Sequence, residues 1–141
     1  MKRFTLDHHM TSLIGGGFYP TGHSMIMFPS LEEANRVGHQ LIEDGVISGD
    51  EIYLVTPEDV LEQIAPTTKG SDYPLPSAGT EAATVRTYIK LAREGHAGLL
   101  VKTRDETVAE KVMAVVRQAP FSLARRYPRL VLVHLQAFPS G

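Results

Sequence analysis

Apolar positions along this chain recur in two alternating rhythms, and the alternation occurs twice. Over residues 23–55 (HSMIMFPSLEEANRVGHQLIEDGVISGDEIYLV) a short apolar run, a stretch of helical period and a second apolar run follow one another. Residues 96–135 (HAGLLVKTRDETVAEKVMAVVRQAPFSLARRYPRLVLVHL) repeat that order. Each stretch predicts strand, amphipathic helix, strand, so the pattern predicts a pair of βαβ units.

Local signals punctuate both units. In the first, the spacing predicts a strand over 24–28, then a helix opened by Ser30 and Glu33 as a capping box and closed by Gly45, which best adopts the left-handed C′ conformation. Its inner stripe is Leu31, Ala34, Val37, Leu41 and Ile42. Gly38 sits mid-helix at a cost of about 1 kcal/mol relative to Ala, which implies close packing there. A second strand is predicted over 51–55. In the second unit a strand over 97–102 precedes a helix capped by Asp105, striped by Val108, Val112, Val115, Val116 and Ala119, and stopped by Pro120. The last strand is predicted over 130–135, where every residue except His134 is leucine or valine.

The segments outside the units divide the single predicted domain further. Residues 1–22 contain Gly15, Gly16, Gly17, Pro20 and Gly22 and read as an N-terminal arm with at most a short strand near Phe4. Residues 56–95 form an insertion. Thr56 and Pro57 begin a short helix reaching about residue 65, TTKGSDYPLPSAG reads as irregular, and Thr80 caps a helix over 81–93 that closes at Gly95. That helix gathers Ala82, Val85, Ile89 and Ala92 on one side, with Tyr88 and Leu91 beside them.

Two folds accommodate this order. In an α+β, ferredoxin-like arrangement the split βαβ units interleave into a four-stranded antiparallel sheet, order 4-1-3-2, with a helical insertion between the units. The alternative is a doubly wound parallel α/β sheet, in which the third helix is another crossover. Strands MIMF, AGLLV and LVLV are apolar on both faces, more than two helices on one face can hide. A second copy packed sheet on sheet is the economical cover and predicts a homodimer through the sheet face; the insertion helix is the other candidate.

Composition narrows the classes. A chain of 141 residues with 43% hydrophobic and 21% charged residues and a net charge of −2 reads as an ordinary globular domain, so charge names no partner. Zero cysteines remove disulfides, thiolate metal sites and a cysteine nucleophile, and suit a cytoplasmic protein. No apolar h-region and no run near 18 apolar residues is present, so no membrane partner is expected.

Candidate chemistry is sparse. The six histidines are His8, His9, His23, His39, His96 and His134. If the first and last strands pair antiparallel, His23 and His134 approach each other, and an arm histidine could complete a metal site; without HxH or HExxH spacing, ordinary surface and strand positions are the preferred account of them. GHSM at residues 22–25 matches the front of a nucleophile elbow, but Ile26 replaces the second glycine and the serine precedes a strand. No phosphate-binding glycine motif occurs, and no cofactor is expected. The start of the third helix, with Gly79 and Thr80 beside a loop holding Lys69 and Tyr73, could receive an anion, although Thr80 as a simple cap is the preferred account. Arg125, Arg126 and Arg129 around Tyr127, with Lys102 and Arg104, read as a solvated charged turn. RNA recognition by the sheet is disfavoured, because HAGLLVK lacks stacking aromatics.

The stretch MIMFPSLEEANRVGHQLIEDGVISGDEIYLVT (residues 25–56) resembles the opening of small bacterial heat-induced general stress proteins, in its strand, "EEA" helix, glycine break and following strand. EGHAGLLVKTRDETVAEKVMAVVRQ is similar to their closing half. The resemblance implies no catalytic residues and an association with stress. Together these readings predict a non-enzymatic regulatory or protein-interaction module with a protein partner. A small-molecule sensor and a histidine-dependent metalloprotein are the alternatives.

Overall fold

The computed structural model describes residues 1–12, 16–68 and 76–129, with residues 76–80 described through their backbone alone. Among these residues it is an α+β structure built on one open five-stranded sheet. Strands β1 (Lys2–Arg3), β2 (His23–Phe28), β3 (Ile52–Val55), β4 (Ala97–Lys102) and β5 (Leu123–Tyr127) lie in the order β1-β3-β4-β2-β5. The pairs β3/β4, β4/β2 and β2/β5 are antiparallel, and β1/β3 is parallel. The sheet is therefore mixed and has five strands where four antiparallel ones were predicted. The doubly wound parallel alternative fails, because three of the four pairings run the other way. The difference from four strands arises at the N-terminus, where two residues of the arm extend the β3 edge.

The last strand also differs from its prediction. Residues 130–135 lie outside the described residues, and the strand beside β2 is LARRY, which by sequence reads as a charged turn. Pleating sends Leu123, Arg125 and Tyr127 to one face and Ala124 and Arg126 to the other. Each arginine meets a carboxylate on its own face: Arg125 pairs with Glu81 at 2.7 Å and Arg126 with Glu106 at 2.8 Å. Charges that would oppose burial in a sheet are thereby accommodated.

Helix α1 (Leu31–Glu43) and helix α4 (Glu106–Val116) cover one face. Ala34, Val37 and Leu41 join Val112 and Val116 over Ile26, Phe28, Leu99 and Val101. Ser30 accepts from the Glu33 amide at 3.1 Å and Asp105 from the Val108 amide at 2.9 Å, so both predicted caps form. The Glu33 carboxylate turns instead to Arg36, at 2.6 Å. Gly45 adopts φ +72°. Leu31, placed in the inner stripe by the sequence, is instead 42% exposed, because it begins the first turn at the rim of the sheet.

The opposite face is covered by the chain itself. Thr56 and Asp59 form a reciprocal capping box at 3.0 Å in each direction around helix α2 (Pro57–Asp59), which continues as a π-turn (Val60–Ile64) and a 3₁₀-turn (Ala65–Thr68). Helix α3 (Pro76–Arg93) starts five residues before the predicted 81–93. Val60, Ile64, Val85, Tyr88 and Ala92 pack with the arm residues Phe4, Met10 and Phe18 on Met25, Met27 and Leu100. The face expected to receive a second copy is thus occupied by the insertion and the arm, and a sheet-on-sheet dimer has no open face to use.

Candidate functional site

A buried polar cluster lies where α3, β5 and the arm converge. Alternation along β5 points Arg125 and Tyr127 at α3, and the helical period brings Glu81 and Tyr88 to meet them. The Tyr88 and Tyr127 hydroxyls are 2.7 Å apart, and both side chains are fully buried. Tyr19 packs edge-on against Tyr127 with ring centroids 4.9 Å apart, while its hydroxyl donates to the Pro128 carbonyl at 3.2 Å. The Arg125 guanidinium sits 5.5 Å from the Tyr127 ring centroid. Glu81 Oε2 and Arg125 Nε are buried without a hydrogen-bond partner, although the two residues are joined through their other atoms.

Burial holds these phenols neutral. Burial pushes Tyr88 well above its ordinary value, reinforced by Tyr127. Burial likewise raises Tyr127, against a lowering hydrogen bond from Tyr88, and Tyr19 is raised by burial and by Glu81. A neutral phenol can donate and accept a hydrogen bond; it cannot serve as a base at neutral pH. The cluster therefore acts as a fixed polar bolt through an apolar layer.

The residues singled out by sequence are scattered. Lys69, Tyr73 and His134 lie outside the described residues. Gly79 and Thr80 fall inside the backbone of α3, so Thr80 is no cap, because the helix already begins at Pro76. The amides at the helix start belong to residues preceding them. His23 opens β2, opposite Lys102 and Tyr127, and its Nδ1 donates to the Thr21 carbonyl at 3.0 Å. His96 Nδ1 lies 2.6 Å from Ser122 Oγ at the other end of the sheet, and the His8 and His9 rings lie 4.0 Å apart on the arm, tilted by 39°. Among the described residues no three His, Asp or Glu side chains gather as a metal site.

Sequence reasoning missed the outer face of α3. Arg86, Lys90 and Arg93 recur there at helical spacing, all exposed, and with Ile89 and Glu94 they line a shallow groove. The ion pairs of the described arginines fall elsewhere, at Arg36, Arg104, Arg125 and Arg126. The signal was available in the sequence as three cations at i, i+4 and i+7 flanking the apolar stripe. A scan against protein-family models, a search of curated proteins and a search of solved structures each found no match to this chain.

Proposed function

We propose that the chain is a non-enzymatic regulatory or protein-interaction module of ferredoxin-like character that works in the cytoplasm as a homodimer, in the stress-associated setting that its resemblance to heat-induced general stress proteins implies. Support for that architecture is the interleaving of the two units, with β4 inserted between β2 and β3. The observation that carries the interaction role is the outer face of α3, an exposed stripe of Arg86, Lys90 and Arg93 beside the half-buried Ile89. Like charges along one helix face repel one another, and an acidic surface relieves that repulsion on contact.

A second reading has its own observation. Glu81 Oε2, in the second turn of α3, and Arg125 Nε are a buried acceptor and a buried donor without partners. A small molecule offering one donor and one acceptor would satisfy both, as a ligand-sensing domain requires.

Native mass spectrometry of untagged protein, purified gently without chelator or nickel, separates these readings. The module reading expects the mass of a dimer with nothing added. A retained organic mass would replace it with the sensor, and a retained metal would restore the histidine-dependent metalloprotein.

A further inference from the structure

The outer surface of the insertion carries both signs of charge. Inward-pointing Val60 and Ile64 of the π-turn and Val85, Tyr88 and Ala92 of α3 share one core cluster, so both segments lie on the same side of the sheet. Helix α3 also packs directly against α2 and the π-turn, so the outward residues of these segments are neighbours on one surface. From α3 it presents Arg86, Lys90 and Arg93, and from α2 and the π-turn it presents Glu58, Leu61 and Glu62, with Leu61 37% exposed.

We propose that this surface is the interface between two copies of the chain, related by a twofold axis, with the α3 cations of each copy against Glu58 and Glu62 of the other and Leu61 and Ile89 at the centre. The inference deepens the module reading above and rests on it. A twofold contact is self-complementary, so one patch must offer both partners of every pair. A surface with cations on one element and carboxylates on its neighbour meets that requirement twice over. Nucleic acid fits it less well, because Glu58 and Glu62 would face the phosphates and the chain as a whole carries −2. The interface also differs from the sheet-on-sheet dimer, whose face is already covered, and it uses side chains that the fold leaves exposed.

The test reverses the charges on full-length chain and reads mass by light scattering across a concentration series. Wild type is expected to dimerise, more weakly as salt rises, since exposed charges are screened within about 10 Å at 0.1 M ionic strength. Arg86→Glu/Lys90→Glu and Glu58→Lys/Glu62→Lys should each run as monomers, with dimerisation weakened about tenfold or more by like charges in contact. Mixed in equal amounts, the two variants should form a heterodimer, because both charge contacts are restored in reversed sense. All four positions are exposed, and unchanged far-UV circular dichroism and melting confirm that each variant folds. Dimers that persist in both variants would overturn this surface while leaving the module reading in place. A wild-type monomer throughout would overturn the surface together with the homodimer, and a wild-type monomer whose binding to a single-stranded oligonucleotide is lost in Arg86→Glu/Lys90→Glu would reassign the stripe to nucleic acid.

Discussion

Tyr88 and Tyr127 show how much one hydroxyl pair can decide. Each phenol satisfies the other at 2.7 Å in a layer with no water-exposed alternative, so removal of one leaves the other buried and unpartnered. Tyr88→Phe is expected to destabilise the fold by about 1–3 kcal/mol, and Tyr88→Phe/Tyr127→Phe by less than the two single variants summed, as read by urea unfolding. The same pair sets an alkaline limit. Both groups titrate above their ordinary value of 10.0 in the folded chain, so the unfolded chain loses their protons first. Their contribution is complete below pH 10 and is lost as pH rises through the raised folded values. Unfolding free energy should therefore fall above pH 10 in wild type, with a shallower slope in the double phenylalanine variant. Equal slopes would show that the pair is solvated.

Within elements, two glycines that look alike in sequence are held by different surroundings. Gly98 lies in β4, where an added Cβ would stand 2.9 Å from Met27 Sδ, 3.0 Å from Met25 Cε and 3.2 Å from the Ile26 carbonyl oxygen. The methionine ends can swing away, but the backbone oxygen in the adjacent strand cannot. Gly38 in α1 would meet Met1 Sδ at 2.6 Å and Leu99 Cδ2 at 3.1 Å, both side-chain ends. Gly98→Ala is thus expected to cost about 1–3 kcal/mol by overpacking. Gly38→Ala should cost less, since Ala recovers about 1 kcal/mol of helix propensity. Thermal melts compare the two variants, and a lower melting temperature for Gly38→Ala than for Gly98→Ala would refute the backbone crowding between β4 and β2. The close packing inferred at Gly38 from sequence was legible because a mid-helix glycine is costly; the crowding at Gly98 was not, because it comes from the residues of another strand.

On the scale of the molecule, the insertion is part of the fold and not an appendage. It supplies Val60, Ile64, Val85 and Tyr88 to the core over Met25, Met27 and Leu100, and Arg125 ties β5 to Glu81 at 2.7 Å. A charge placed beneath α3 should consequently disturb the whole domain. Val85→Asp, at a position 1% exposed, is expected to bring dye-binding apolar surface and loss of the cooperative melt together. If the insertion were loosely attached, the variant would keep its melting transition and bind dye alone.

Much of this architecture follows from local physics, which one sequence contains. Helical and strand periods, the caps at Ser30, Thr56 and Asp105, and the left-handed glycine at Gly45 depend on neighbours a few residues away, and they placed α1, β3, β4 and α4 close to where they lie. Pairing and coverage depend on distant residues. LARRY reads as a charged turn until Glu81, 44 residues before Arg125, and Glu106, 20 residues before Arg126, arrive to neutralise its arginines. Likewise, the apolar runs of β2 and β4 announced that both sheet faces were buried, but not by what. Only the tertiary structure assigned the second face to α3, the π-turn and the arm, because burial rewards any apolar cover equally and the geometry of chain closure selects the one that is within reach.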